Sequence, residues 1–497
     1  MIRRLLIANR GEIALRIIRA CREMDIETVA VYSDADARAP HVAAADRAAA
    51  IGPPPASESY LSIPRLLAAA RAHGADAVHP GYGFLSESAA FAGACEGAGL
   101  TFVGPRSDVI ARMGSKIEAR RIMQAAGVPI VPGETPDDQS DRGVERALDR
   151  VGYPALVKAS AGGGGKGMRE VREPTGALDA IQAARREATA AFDDGSLYVE
   201  RLIDRPRHVE VQIFGDHHAD VTHLFERECS VQRRHQKVIE ESPSPALTPG
   251  LRARMTEAAV AAARAAGYRN AGTIEFLLEG RGEGATFYFL EMNTRLQVEH
   301  AVTEAVAGVD LVRAQLLVAS GQGLPWPRGS LTQRGHAVEA RIYAEDASRG
   351  FLPQAGRLLL YREPRLPGVR VDAGVVEGSE VSVFYDPMLA KVIASGETRD
   401  AAIARLVAAL RDYPILGVRT NIPFLIGVLE HPRFRAGEVD TGFLDREGDA
   451  LADLSDDLPT FLLEALQQMN LNAGSEPDSG RPQPEADPWA TLRGWRL

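Results

Sequence analysis

Two periods alternate along the chain, and each predicts the element it accompanies. RRLLIAN, next to the N-terminus, is a short unbroken apolar run and reads as a buried strand. IALRIIRACREM follows with Ile13, Ile17 and Ile18 on one side of a 3.6-residue repeat, so it reads as a helix. TVAVYS is a second strand, and DAVHP and TFVGP, separated by helical stretches, extend the series. Units of this kind build a parallel sheet covered by helices, so residues 1–114 are expected to form a Rossmann-like α/β domain.

From about 115 to 330 the pattern becomes mixed α+β, with ALVKAS, SLYVERLI, HVEVQIF, TIEFLL and FYFLEMN as strands and a glycine run after ALVKAS that predicts a mobile loop. HAVEARIYA and the strands around LLLYR and VRVDAG predict a third, β-rich domain over 331–446, closed by the helix AAIARLVAALRD. In 447–497, LPTFLLEALQQM reads as one helix. NAGSEPDSGRPQPEADP is too polar and too rich in Gly and Pro to bury a core, so it reads as a disordered linker. No internal repeat is visible.

Composition narrows the function. At 497 residues the chain is long enough for roughly three domains of about 150 residues. With 45% hydrophobic and 25% charged residues it has globular composition, and no apolar run is long enough to span a bilayer. A formal charge of −10 argues against nucleic acid as the main partner, because phosphate-backbone binding needs basic surface. The N-terminus, MIRRLLIANRGE, has only a four-residue apolar stretch before Glu12, which does not read as an export signal. Cys21, Cys95 and Cys229 are too few and too scattered for a disulfide framework or a zinc knuckle, so a reducing, cytoplasmic compartment is expected. Of 57 Lys and Arg residues only Lys116, Lys158, Lys166, Lys237 and Lys391 are lysines, which makes each a candidate for chemistry that wants a compact ammonium.

Residues 162–167, GGGGKG, allow backbone amides to approach phosphate closely, although a flexible connector has the same composition. A Walker P-loop is excluded by Ser160 and Gly167 at positions where that motif needs other residues. In TFYFLEMN, strand alternation puts Phe287, Phe289, Glu291 and Asn293 on one face and Tyr288, Leu290 and Met292 on the other. Glu275 of TIEFLLE leaves the apolar face too, so two carboxylates and an amide oxygen on paired strands suit Mg²⁺. Arg295, Gln297 and Glu299 follow, and His235 and Lys237 lie upstream in CSVQRRHQK. Cations beside a metal site are what phosphoryl transfer to an anionic acceptor requires.

NRGEIALRIIRA, HPGYGFLSE, GGGGKGM, PRHVEVQIF, CSVQRRHQK, EMNTRLQVEH and GHAVEARIYAED together resemble the biotin carboxylase family of ATP-grasp enzymes, in order from residue 2 to about 445. The resemblance implies a Rossmann-like pre-ATP-grasp domain, an ATP-grasp domain over 115–330 whose lid spans about 131–203, and a β-rich C-terminal domain. It implies that Lys116, Lys158, Gly164, Gly165, Glu200, His208 and His235 contact ATP. Glu275, Glu291 and Asn293 would bind Mg²⁺, with Mn²⁺ as the alternative, and Glu275 and Glu291 would also meet the nucleotide. Lys237, Arg295, Gln297 and Val298 would hold bicarbonate, Glu299 would deprotonate it, and Arg341 would face the ureido oxygen of biotin. The implied reaction forms carboxyphosphate and then carboxybiotin, and Cys229 has no nucleophilic part in it.

Two departures from the family pattern are visible: Ser242 and Ser244 stand where alanine is common, and Arg201 stands where lysine is usual. Both are expected to matter little. No lysine lies in a Met-Lys-Met setting, so biotin is expected on a separate biotin carboxyl carrier protein, with no covalent biotin here and with a carboxyltransferase subunit as further partner. DPWATLRGWRL resembles the start of the connecting region of longer acyl-CoA carboxylase α subunits, and the family implies a homodimer. Two rival readings remain at this stage, a different bicarbonate-activating ATP-grasp ligase and a catalytically silent nucleotide-binding scaffold.

Overall fold

The structure is a computed structural model that describes residues 1–160, 167–327 and 329–452. Gly164, Gly165 and Lys166, together with the segment LPTFLLEALQQM and the linker after it, lie outside the described residues.

The N-terminal strands pair in parallel in the order Arg47–Gly52, Glu27–Ser33, Arg4–Ile7, Ala77–His79, Thr101–Phe102. Leu5 and Ile7 pack with Ile13 and Ile17 of helix Gly11–Glu23, whereas Leu6 packs on the other side with Val29 and Val31. Because successive side chains of a strand point to opposite faces, a continuous apolar run means a sheet covered twice.

An eight-stranded sheet forms the body of the molecule. Its order is Thr286–Asn293, Asn270–Glu279, Arg207–Gly215, Val221–Arg233, Gln236–Ser242, His336–Tyr343, Met388–Gly396, Val369–Ala373. It crosses the 330/331 position without a break, since Gln236–Ser242 pairs antiparallel with His336–Tyr343 and Glu240 lies opposite Glu339. Val209, Val211 and Ile213 pack with Leu251, Met255 and Ala259 of helix Pro249–Ala266, which turns His208, Glu210 and Gln212 the other way. Farther along, Val338, Ala340 and Ile342 pack with Ile403, Leu406 and Leu410 of helix Arg399–Arg411, and Glu339 and Arg341 take the opposite face. Alternation on this one sheet therefore collects polar side chains from distant sequence onto one surface.

Residues 133–201 carry a separate four-stranded antiparallel sheet, ordered Gly133–Glu134, Leu197–Arg201, Ala155–Ala159, Met168–Val171. Helices Asp141–Val151 and Ala177–Phe192 are held to it by a small core of Val144, Leu148, Val157, Ile181 and Val199. Helices Ile422–Glu430 and Phe443–Ala452 follow the β-rich stretch and were not evident from the sequence pattern. Among the described residues no helix is long and apolar enough to cross a membrane.

Candidate active site

A cleft of about 1110 Å³ is lined by residues from the N-terminal sheet's loops, the four-stranded layer and both halves of the large sheet. At its nucleotide end, Ser115 caps helix Lys116–Ala125 and sets Lys116 in its first turn, where Nζ donates to Glu291 Oε2 at 2.7 Å. Lys158 and Glu200, on paired strands, form an ion pair at 2.5 Å, and Arg120 also pairs with Glu200. His208 Nε2 lies 2.9 Å from Glu275 Oε2 without hydrogen-bond alignment. Burial pushes the His208 imidazole down, but Glu275 outweighs it and raises it above its ordinary value. His235 is exposed in a turn where it and Arg234 both have positive φ, and it lines the cleft.

At the centre Lys237 Nζ donates to Glu210 Oε2 at 2.5 Å, Glu275 Oε1 at 2.8 Å and Glu299 Oε1 at 2.7 Å. The other Glu299 oxygen accepts from Arg341 Nη2 at 3.1 Å, and Arg341 Nε donates to Glu240 Oε1 at 2.6 Å. Burial pushes the Glu299 carboxyl up, yet Lys237, Arg341 and Arg227 together hold it well below the ordinary carboxylate range. Glu299 is thus an ionised carboxylate with one cation on each oxygen. Glu275 is held well below its ordinary value in the same way, by Lys237 and His208 against burial. Burial wins at Glu210, which is raised, and at Glu240, which is pushed up to about 7.

Arg295 donates to Glu87 Oε2 at 2.9 Å, Gln297 Oε1 at 2.7 Å and Asn293 Oδ1 at 3.1 Å. Asn293 Nδ2 in turn donates to Glu275 at 2.8 Å. Asn293, Arg295, Gln297 and Glu299 therefore form one hydrogen-bonded array with Glu275, Lys237 and Arg341.

The expected facing of strand Thr286–Asn293 needs correction. Phe287, Phe289 and Met292 enter the core, while Leu290, Glu291 and Asn293 line the cleft. The register skips between Glu275–Glu291 and Phe276–Phe289, a bulge that reverses alternation at Leu290. Glu291 and Asn293 still point the same way, but opposite to Phe287 and Phe289.

The residues present fit a hard divalent cation. Glu275 and Glu291 lie opposite each other on neighbouring strands and offer carboxylate oxygens, with Asn293 beside them. Tighter groupings, His208–Glu210–Glu275 and Glu210–Cys229–Glu299, have ligand atoms within 4.8 Å of one another. Lys237 already binds both Glu210 and Glu275, and Glu210 and Glu299, so these are clusters around an ammonium rather than a metal. Burial, with Glu210 adding to it, pushes the Cys229 thiol well up, in keeping with an inert cysteine.

Sequence reasoning missed Glu87, Glu210, Arg227 and Glu240, and it named Lys391 without a role. Arg227 is fully buried and binds Glu210 at 2.5 Å, Gln212 at 2.8 Å, Thr303 at 2.9 Å and Thr273 at 3.0 Å. Polar residues alternating with Val209 and Val211 in HVEVQIF were the available signal for Glu210. The departures prove well seated: Ser244 Oγ donates to Glu228 Oε2 at 2.6 Å, Ser242 Oγ to the Glu226 carbonyl at 2.7 Å, and Arg201 pairs with Glu279 at 2.8 Å.

Three family models match the chain in order: the biotin carboxylase N-terminal domain over 1–110, the ATP-binding domain of the carbamoyl-phosphate synthase L chain over 115–326, and the biotin carboxylase C-terminal domain over 339–446. A biotin carboxylase of Halalkalibacterium halodurans is 50% identical over 444 residues, 89% of this chain and 97% of that protein. The mitochondrial methylcrotonoyl-CoA carboxylase subunit alpha of Glycine max is 50% identical over 95% of this chain, which spans only 64% of that subunit. The Campylobacter jejuni biotin carboxylase, solved as a β-γ-ATP complex, superposes with a TM-score of 0.87 at 43% identity, covering 90% of this chain and 99% of that one. A Hydrogenobacter thermophilus biotin carboxylase domain dimer, solved with MgADP, ADP and bicarbonate, also gives 0.87, at 42% identity over 92% of this chain and 100% of that chain. With an array of cations around one ionised glutamate, a carboxylate pair suited to Mg²⁺ and near full-length relatives at this identity, the chain is a member of the biotin carboxylase family.

Proposed function

We propose that the chain uses ATP and bicarbonate to carboxylate biotin carried on a separate protein. The observation that carries this reading is the placement of Glu299 between Lys237 and Arg341, one cation on each carboxylate oxygen. In the proposed order of events, Lys237, Arg295, Gln297 and the Val298 backbone hold bicarbonate, and Glu299 takes its proton. The freed oxygen attacks the γ-phosphorus of ATP, the bond to ADP breaks, and carboxyphosphate forms. Lys116, Lys158, Glu200, His208, His235 and the glycines at 164 and 165 hold the nucleotide. A divalent cation at Glu275, Glu291 and Asn293 would supply charge neutralisation on the phosphates.

Carboxyphosphate then splits at its C–O bond into CO₂ and phosphate, and the phosphate removes the ureido proton of biotin. The ureido nitrogen attacks CO₂ to form the N–C bond, while Arg341 stabilises negative charge on the ureido oxygen and Arg295 that on phosphate. Exclusion of water protects the labile intermediate, a task for the layer at 131–203 acting as a lid. The same reading includes a homodimer, a biotin carboxyl carrier protein and an acyl-CoA carboxyltransferase subunit as partners, a cytoplasmic setting, and a division at about 114, 330 and 446.

The test is Mg²⁺-dependent ADP release by the purified chain with and without bicarbonate and free biotin. Release that needs bicarbonate and rises with biotin supports the reading. ATP cleavage indifferent to biotin would favour another ATP-grasp ligase, and absence of cleavage a binding scaffold.

A further inference from the structure

Among the lysines the structure describes, Lys391 is the one to which no step of the reaction assigns a task. It is fully buried on strand Met388–Gly396, opposite Arg341 on one side and Asp372 on the other. Its Nζ donates to the carbonyl of Val298, lies 3.7 Å from Glu12 Oε1 and 4.0 Å from Asp372 Oδ2, and sits 6.0 Å from the centre of the Tyr82 ring. The ammonium thus joins the first helix, the glycine-containing loop after strand Ala77–His79 and the large sheet at one backbone atom of the loop 294–299, the acceptor loop of the proposed reaction.

The neighbouring peptide group is held as well. His300 is fully buried, and its Nδ1 is 2.8 Å from the carbonyl of Gln297. A carbonyl can only accept, so Nδ1 carries the proton. Burial, with Lys391, Arg16 and Arg370 adding to it, pushes the imidazole well below its ordinary value, so the ring is neutral and Nδ1–H is its single donor. Nε2 has no hydrogen-bond donor and lies 3.9 Å from Glu304 Oε2.

The two peptide groups that flank Val298 are therefore each gripped by their carbonyl from the buried side. In a trans peptide the N–H points opposite to the C=O, so the grip on Gln297 fixes the direction of the Val298 N–H, and the grip on Val298 fixes that of Glu299. Val298 lines the cleft, and Glu299 is the residue at the start of helix His300–Ala307.

We propose that Lys391 and His300 are positioning residues for the acceptor loop, locking the peptide planes on both sides of Val298 so that its amide presents a fixed donor to the bicarbonate anion. This rests on the carboxylation reading above. Neither side chain touches a reactant. Their work is to remove rotational freedom from a donor that must be aimed before the anion arrives, the general route by which preorganisation lowers the cost of binding. The position also rationalises lysine in an arginine-rich chain, since a compact ammonium fits between a carbonyl and an aromatic face where a planar fork would not.

The test uses the full chain and compares Lys391→Met, Lys391→Arg, His300→Leu and His300→Asn, the last because an asparagine amide can replace the Nδ1–H donor. Steady-state ADP release gives KM for bicarbonate and for ATP separately. The expected result is a bicarbonate KM raised about tenfold or more in Lys391→Met and His300→Leu, the factor carried by a lost hydrogen bond of this kind, with ATP KM changed less than about twofold and His300→Asn restored toward wild type. Lys391→Arg should not restore the wild-type value. Equal rises in both KM values, an unchanged bicarbonate KM, or no difference between His300→Leu and His300→Asn would overturn the proposal. If Lys391→Met does not fold, the His300 pair decides alone. Wild-type ADP release that ignores bicarbonate would instead overturn the carboxylation reading itself, and the positioning role with it.

Discussion

Arg295 donates from Nε to Glu87 Oε2 at 2.9 Å, so a cation of the loop 294–299 is oriented by a carboxylate 208 positions earlier in the chain. Glu87 also accepts from the Thr294 amide at 3.1 Å, which makes it a clamp on the backbone and side chain of neighbouring residues. Glu87→Ala should lower kcat/KM for bicarbonate by about five- to tenfold, the worth of one charge-assisted contact, and leave ATP KM nearly unchanged. Equal loss for both substrates in initial-rate kinetics would count against a clamp specific to the acceptor loop.

Glu299 is expected to carry the proton transfer. Glu299→Gln keeps size and polarity but cannot accept a proton, and bicarbonate-dependent ADP release should fall by about 10²-fold or more. Because its cations hold the carboxyl well below the ordinary range, Glu299 is ionised across neutral pH, and the pH–rate profile of the wild type should show no limb from this residue near neutrality. Circular dichroism establishes that the variant is folded, and a rate within a few-fold of wild type would remove Glu299 from the mechanism.

Glu240 gives the pH dependence a sign. Its carboxyl is raised in the folded chain from 4.5 to about 7, chiefly by burial, with Arg341 opposing and Glu299 adding to the rise. Between those values the folded chain keeps a proton that the unfolded chain has lost, so this contribution to stability is complete below the lower value and is lost as pH rises through the upper one. Glu240→Gln should abolish that loss, so the stability difference between variant and wild type shifts in the variant's favour by up to about 3 kcal/mol from acid to neutral pH. Urea unfolding at several pH values measures it, and parallel curves would contradict the assignment.

Glu291 tests the cation site. Removing one carboxylate ligand by Glu291→Gln should raise the Mg²⁺ concentration for half-maximal activity about tenfold or more, and chelation by EDTA should stop wild-type turnover. Glu291 also accepts from Lys116 at 2.7 Å, so ATP KM should rise in the same variant. Magnesium titration at saturating ATP separates the two effects.

Much of this site was legible in the sequence because its chemistry sits in short motifs. Glu291, Asn293, Arg295, Gln297 and Glu299 lie within nine residues, and Leu5, Leu6 and Ile7 announced a doubly covered strand. What escaped depends on pairing between distant strands. The bulge at Leu290 reversed the facing of the phenylalanines, and no periodicity argument sees an extra residue in one strand. The setting of Glu240 follows only from register, which places it opposite Glu339, a residue with both oxygens buried and unpartnered. Glu87 acts across 208 positions and Lys391 across 93, and only the fold brings them to the loop they hold.

The unbroken sheet through 330/331 makes the enzyme poorly modular. Lys237 and Arg341 stand on directly hydrogen-bonded neighbouring strands, so the interval between the Lys237 ammonium and the Arg341 guanidinium is set by the repeat of the sheet itself. A chimera that grafts residues 331–446 of one relative onto the first 330 of another must therefore reproduce the Glu240–Glu339 register strand for strand. A graft slipped by one residue would turn Arg341 to the far side of the sheet and leave two folded halves that no longer share a reaction centre.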